Sequence, residues 1–422
     1  MHSQQVPERQ PGARDVRLLF LTRILRMLAY GSSALVLALY LAALQFDERQ
    51  IGLLLTMTLV GDAVISLWIS TVADRIGRKW MLVWGAALMV LGGAVFAATS
   101  SFVPLLLGAT IGVISPSGNE VGPFLAIEQA ALAQNVAAQR RTSVFAWYQL
   151  AGSLATAAGA ALCGYAMQAV QGQGLPPAQG YRAVFLAYAA LGLVLAFLFL
   201  RLSPASEAPR AAGSGPPTRM FMGLHRSRCV VLKLSSLFAL DAFAGGFVVQ
   251  SLIVLWFKIR FDTDLATLGT IFLATNVLAG FSALAASALA RRFGLINTMV
   301  YSHVPSNILL ILVPFMPNLP LAVTVLLLRF AISQMDVPAR QSYTLAVVDP
   351  DERSAAAGVT GVARTIGASI SPALAGLVMS SAAGSIFVIS GALKLVYDGL
   401  LYRMFSHLRA PEECEKPIDH RR

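Results

Sequence analysis

Charge is what this sequence has least of. Only 13% of its 422 residues are charged, against about a quarter in a soluble globular protein. That is too little to coat one soluble surface. Disorder is excluded too, since it needs low hydrophobicity and high charge. Cysteine is scarce: Cys163, Cys229 and Cys414 show no metal-site spacing and form no even disulfide set. The histidines, His2, His225, His303, His407 and His420, are scattered, so no zinc or haem site, and no other cofactor, is expected. The chain carries no G-x-x-x-x-G-K-[ST] loop for ATP. No nucleophile, base and metal set clusters, so no catalytic residue is named and an enzyme is not expected. The first residues, MHSQQVPERQPGARDVR, lack the apolar stretch of a cleavable signal. The N-terminus is expected to be retained and cytoplasmic.

What is present is apolar sequence, with 56% hydrophobic residues and a mean hydropathy of +0.68. A spanning helix needs about 20 mostly apolar residues. Such segments lie near 18–44, 50–71, 80–99, 103–126, 143–168 and 182–201, then near 230–256, 265–289, 295–316, 319–343, 354–379 and 384–404. All twelve read as helices, because open strands cannot cross lipid and barrel alternation is missing. The fold class expected is therefore an all-α membrane protein of twelve transmembrane helices.

The net charge of +11 comes from bases at the ends of apolar stretches. That is topology information, not a nucleic-acid face. Arg75, Arg78, Lys79, Arg140, Arg141, Arg201, Arg210, Arg219, Arg226, Arg228, Arg291, Arg292 and Arg353 fall in alternate connections. The opposite connections hold only Arg49, Arg182, Lys258 and Arg260. By the positive-inside rule both termini are cytoplasmic, and the membrane expected is a bacterial cytoplasmic (inner) one. The stretch SPASEAPRAAGSGPPTR reads as a flexible linker. The expected organisation is a tail (1–17), a six-helix bundle (18–201), a linker (202–229), a second bundle (230–404) and a tail (405–422).

The two bundles resemble each other. RRTSVFAWYQLAGSLATAAGAALCG (140–164) matches DERSAAAGVTGVARTIGASISPALAG (351–376), aligning Arg141 with Arg353 and Gly164 with Gly376. VADRIGRK (72–79) matches LARRFGLI (289–296), setting Gly77 on Gly294. GNEVGP (118–123) matches SQMDVP (333–338). A six-plus-six duplication is the build of transporters whose halves rock around a central site.

The motif ADRIGRK (73–79), between spans 2 and 3, resembles the signature of the major facilitator superfamily. Asp74, Arg75, Gly77, Arg78 and Lys79 match it, while Ser70 stands where the family prefers Gly. With twelve spans, a central linker and a repeat, the resemblance covers nearly the whole chain. It implies two pseudo-symmetric six-helix bundles, usually monomeric. It also implies that spans 1, 4, 7 and 10 line a central cavity, and that Asp74 faces the start of span 11 near Ser354. A carboxylate there meets the positive end of a helix dipole and closes the cytoplasmic side in the outward-open state. The alternative is a charged loop that simply obeys the positive-inside rule.

The informative residues are ionisable groups inside apolar spans, which must pair or work. They are Arg23 and Arg26 in span 1, Asp62 in span 2, Glu120 and Glu128 in span 4 and Asp241 in span 7. Arg329, Asp336 and Arg340 follow in span 10, Arg364 in span 11, and Lys394 and Asp398 in span 12. By the resemblance Arg26, Glu120, Asp241, Arg329 and Asp336 are cavity candidates; Asp62 and Arg364 are deep enough to join them. Asp241, about 16 Å into span 7, is either a proton carrier or half of an ion pair with another helix. Glu120 and Asp336 each stand just before a proline, Pro123 and Pro338, that can kink the helix. Asp336 and Arg340 share a face and can pair with each other. Lys394 and Asp398, four apart, are expected to pair within span 12. Arg23 and Arg26 are expected to pair with Asp62 or to meet an anionic substrate, and with Glu128 they lie near enough to the cytoplasmic face to snorkel.

The function expected is proton-coupled efflux of a small organic solute by alternating access. The partners are that solute, protons and the lipid bilayer, not nucleic acid. Transport of an anionic metabolite or chelate is the rival, and a receptor on the same scaffold the alternative of another class. The absent proline in span 5 and the arginines of span 1 set the chain apart from the family's drug antiporters.

Overall fold

The computed structural model describes residues 12–118, 124–136, 138–207, 226–349 and 352–406, and all regular structure in them is helical. Side chains at 69–75, 137–143 and 353–355 also lie outside the described residues. The first half comprises α1 (Gly12–Ala43), α2 (Glu48–Ile76), α3 (Arg78–Ala98), α4 (Phe102–Ile111), α5 (Phe124–Asn135), α6 (Ala138–Gly172) and α7 (Pro177–Leu200). The second comprises α8 (Arg228–Gly246), α9 (Gln250–Phe261), α10 (Leu265–Phe293), α11 (Leu295–Leu312), α12 (Leu319–Ser333), α13 (Asp336–Ala346), α14 (Arg353–Met379) and α15 (Ser385–Phe405). Among the described residues, eleven helical segments are long and apolar enough to cross a membrane, and Phe102–Ile111 is a shorter apolar helix.

Spans 4, 7 and 10 are each two helices rather than one. In span 4, α4 stops at Gly112, and the chain turns through Val113 and Gly118, both at positive φ. The sequence GVISPSG holds Gly112, Pro116 and Gly118, all helix breakers. The expected kink at Pro123, like Glu120, falls in 119–123 and outside the described residues. In span 7 the break follows Gly245 and Gly246. In span 10, α12 ends at Ser333 and α13 begins at Asp336. Pro338 therefore sits in a first turn, where its missing N–H leaves no bond unmade, and Asp336 stands at a helix start rather than mid-helix.

Small residues set the helix contacts. A Cβ added to Gly31 or Gly159 would meet the backbone of Thr156 or Leu28, pressing α1 on α6. Gly246 and Gly367 press α8 on α14 in the same way. The two halves thus repeat one packing.

We call the side on which α1 begins and α15 ends the near face, and the opposite side the far face. On the far face the halves close on each other along two matching seams. Gly164 of α6 packs on Leu265 and Gly269 of α10, while Gly376 of α14 packs on Glu48 and Gly52 of α2. The sequence repeat aligns Gly164 with Gly376, and the structure gives them equivalent contacts. Across the seams, Ala373 N donates to Thr56 Oγ1 (2.8 Å), and the Tyr165 and Thr270 hydroxyls are bonded (3.0 Å). Between them Ser251 Oγ donates to the carbonyls of Ala34 and Pro116 (both 2.8 Å).

Both described ends of the linker are anchored. Ser203 and Ser206 donate from their hydroxyls to Asp15 (2.6 and 2.7 Å). Glu207 accepts from the backbone N–H groups of Arg78 (2.6 Å) and Lys79 (3.1 Å), which the start of α3 leaves unpaired. At the other end Glu352 accepts from Arg226 N and Ser227 N, both at 2.8 Å. Residues 208–225 lie outside the described residues.

Candidate functional site

Asp241 is the hub of the second half. It sits on α8, 3% exposed, and three other helices deliver bases to it. Lys394 Nζ of α15 donates to Oδ1 (2.6 Å), and Arg364 Nη1 of α14 (3.0 Å) and Arg340 Nη1 of α13 (3.2 Å) donate to Oδ2. Of the two readings open for Asp241, this geometry is that of the inter-helix ion pair. Arg340 also donates to Asp336 one turn away (2.9 Å), so their pairing is observed. The expected pair of Lys394 with Asp398 is corrected, because a shared face also exposes both to neighbouring helices. Lys394 reaches across to Asp241, while Asp398 meets His303 Nδ1 (2.7 Å) and accepts from Asn307 Nδ2 (2.9 Å) on α11. His303 Nε2 lies 3.9 Å from Asp241 Oδ1. Arg329 of α12 stacks on Phe330, 4.8 Å from the ring centroid, and its buried Nε has no hydrogen-bond partner.

The first half has its own hub, Glu128 of α5. Arg26 of α1 forks onto it, Nη1 to Oε1 (2.8 Å) and Nη2 to Oε2 (2.6 Å). The Tyr148 hydroxyl and Thr22 Oγ1 donate to the same carboxylate. Arg23 donates to Tyr148 O and Gln149 Oε1, both at 2.9 Å, and lies over the Tyr148 ring. The snorkelling expected of Arg23, Arg26 and Glu128 is corrected: exposure is 1%, 0% and 0%. A charge this dry is held by a partner of opposite sign and by further donors. The carboxylate that Arg26 forks onto is Glu128. Asp62 accepts from Ser66 in its own helix (3.1 Å). Of the aromatics on these helices, Tyr30 and Tyr148 are fully buried, Phe243 and Phe247 pack on each other, and Trp147 is 64% exposed.

In the loop between α2 and α3, Gly77 has φ 119°, a conformation that favours glycine, and its counterpart Gly294 has φ 87°. Arg78 and Lys79 are anchored through their backbone to Glu207. The side chains of Asp74 and Arg75, and of Ser354, where Asp74 was expected to dock, lie outside the described residues.

Residues 19–372 match the sequence pattern of the Major Facilitator Superfamily. The chain belongs to this family. An uncharacterized membrane protein of Saccharomyces cerevisiae, YJR124C, is 32% identical to it, the match covering 93% of this chain and 94% of the yeast protein. That relative is a yeast protein, so the match gives the expected bacterial membrane no support. Among solved structures, a D-xylose-proton symporter is 14% identical with a TM-score of 0.73, covering 92% of this chain and 97% of that one. A bacterial homologue of the iron transporter ferroportin, in an inward-facing state, is 16% identical with a TM-score of 0.71, covering 92% and 98%. These likenesses place the chain in the superfamily's twelve-helix fold. It is a multi-pass membrane transporter of the secondary type, not an enzyme.

Within the superfamily fold, span 9 yields the two residues that sequence reasoning missed, His303 and Asn307. The signal was there, since an ionisable residue in an apolar run is a functional candidate, but histidine was weighed only as a metal ligand.

Proposed function

We propose that the protein exports a small organic solute by alternating access, coupled to protons, with bundles 18–201 and 230–404 rocking about the centre as a monomer. The observation that carries this reading is the hub at Asp241. Four helices of one bundle converge there through buried charges, beside the interruptions of spans 7 and 10. Fixed ionic hubs next to broken helices are what a rocking bundle needs at its substrate site. Asp241, Asp336, Arg329 and Arg364 form the second bundle's side of that site, and Arg26, Asp62 and Glu120 the first bundle's side. When the far seams open, Asp74, Arg75, Gly77, Arg78 and Lys79 close the near face against the start of α14. The test is reconstitution in liposomes with an imposed pH gradient and a broad solute panel. Gradient-dependent flux that a protonophore collapses is expected. Its absence across the panel would overturn the reading.

Arg329 favours a second reading, an anionic solute. A half-buried guanidinium whose buried Nε has no acceptor is a ready partner for a carboxylate or phosphate. If the cargo is anionic, Arg329→Gln abolishes uptake of carboxylates and phosphates and spares neutral solutes. Equal loss for both classes would remove this reading.

A further inference from the structure

Asp241 was the sequence's candidate for carrying the proton, and its surroundings argue otherwise. Protonating it would strand Lys394, Arg364 and Arg340, all within 3.2 Å of its oxygens. His303 is placed differently. Its Nδ1 is 2.7 Å from Asp398, and its Nε2 faces Asp241 at 3.9 Å. Asp398 has no arginine or lysine among its partners in the described residues, only the ring and the Asn307 amide. An imidazole between two carboxylates, one of them lacking a cation, is a site for one exchangeable proton.

The charged groups facing this pair come from every neighbouring helix. α15 contributes Asp398, Lys394 and the Tyr397 ring, 5.8 Å from the imidazole and edge-on. α8 contributes Asp241. α13 and α14 contribute Arg340, Asp336 and Arg364 through Asp241. α12 contributes Arg329, and α10 carries Arg292 at its near-face end. Three carboxylates therefore meet three paired bases, with Arg329 in addition and the His303 imidazole between Asp398 and Asp241. Arg364, 33% exposed, is where this cluster meets solvent.

We infer that the transported proton binds at His303, held by Asp398, while Asp241 is a positioning residue; this rests on the proton-coupled reading above. The proton adds to Nε2 while Nδ1–H continues to donate to Asp398, and it leaves from Nε2. A cation on Nε2 competes with Lys394 and Arg364 for Asp241. Arg364 and the seam residue Gly376 ride on the same helix, α14, about 18 Å apart at the helical rise. Loosening Asp241 from Arg364 frees α14 to shift at the far seam.

The test replaces His2, His225, His407 and His420 by Gln, so that nitrogen NMR of ring-labelled protein reports His303 alone. The expected result is a change from one to two protonated ring nitrogens between about pH 5 and 8. Asp398→Asn then lowers proton affinity about tenfold, one pH unit. A single protonation state throughout, or an unmoved midpoint in Asp398→Asn, overturns the inference. In liposomes, His303→Gln should lose gradient-driven flux and keep solute exchange; retained gradient-driven flux also overturns it. If the unmutated chain shows no gradient-driven flux, the proton-coupled reading fails, while the NMR titration still judges the site.

Discussion

A buried carboxylate that answers three bases is a structural commitment before it is a functional one. Removing one member of a buried ion pair costs about 3–5 kcal/mol, because the partner keeps its charge in a dry place. Asp241→Asn strands the buried Lys394, while Arg340 keeps Asp336 and Arg364 is 33% exposed, so its thermal midpoint in detergent should fall by a few degrees. An unchanged midpoint would mean that the bases are solvated and the hub is not structural. The Arg26–Glu128 fork permits a cleaner experiment. Arg26→Met and Glu128→Gln should each destabilise, and the double variant should cost less than their sum, since it leaves neither charge alone. Additive losses in chemical unfolding would show that the two do not depend on each other. At this scale the sequence named nearly every charge in the two hubs and one of the pairs, Asp336 with Arg340, but misassigned another. Lys394 and Asp398 stand one turn apart, which suggests a pair. Each instead faces a different helix, and which helix that is depends on packing that no spacing records.

Among the elements, the turns and caps are where single substitutions read out most directly. Gly77 and Gly294 open α3 and α11 at positive φ with extended ψ, a region kept almost wholly to glycine, where a side chain costs about 1–3 kcal/mol. A Cβ at Gly77 would meet only the Glu207 carboxylate, at 3.4 Å. The loss in Gly77→Ala is therefore backbone strain, and because ψ is 129°, outside the left-handed α region that Asn tolerates, Gly77→Asn should lose as much in thermal unfolding. Asp264 caps α10, accepting from Thr267 N (2.9 Å) and Thr267 Oγ1 (2.6 Å). Asp264→Ala should cost about 1 kcal/mol. The Thr267 hydroxyl holds this carboxyl below its usual range. Its contribution is therefore full above the unfolded value near about 3.9 and is lost as pH falls through the lower folded value. The stability difference between the unmutated chain and Asp264→Ala should vanish under acid, and a gap that persists would contradict the cap. Helix number and order were legible from apolar run length alone. The breaks in spans 4, 7 and 10 were not, because membrane helices tolerate glycine and proline. Run length therefore could not tell a kink from a gap.

The whole molecule is held at the far face by two seams in which glycine lets backbone touch backbone. The repeat predicted this equivalence in outline, because Gly164 and Gly376 align. Their partners, Gly269 and Gly52, come from the opposite half and were beyond the reach of alignment. A bulky residue in a seam cannot be absorbed by side-chain movement, since the atoms it meets are main chain. Gly376→Leu should therefore shift the protein toward the state in which the far face is open. The reporter is a cysteine at Thr56, whose native side chain is 7% exposed and bonded across the seam. In a chain with Cys163, Cys229 and Cys414 replaced by Ala, Thr56→Cys should react slowly with a membrane-impermeant maleimide. Adding Gly376→Leu should speed that reaction, and Gly164→Leu, in the other seam, should do the same without touching the reporter. If only the local variant acts, the seams open separately and the halves do not rock as units. If both act alike, closure at the far face is one movement of one bundle against the other.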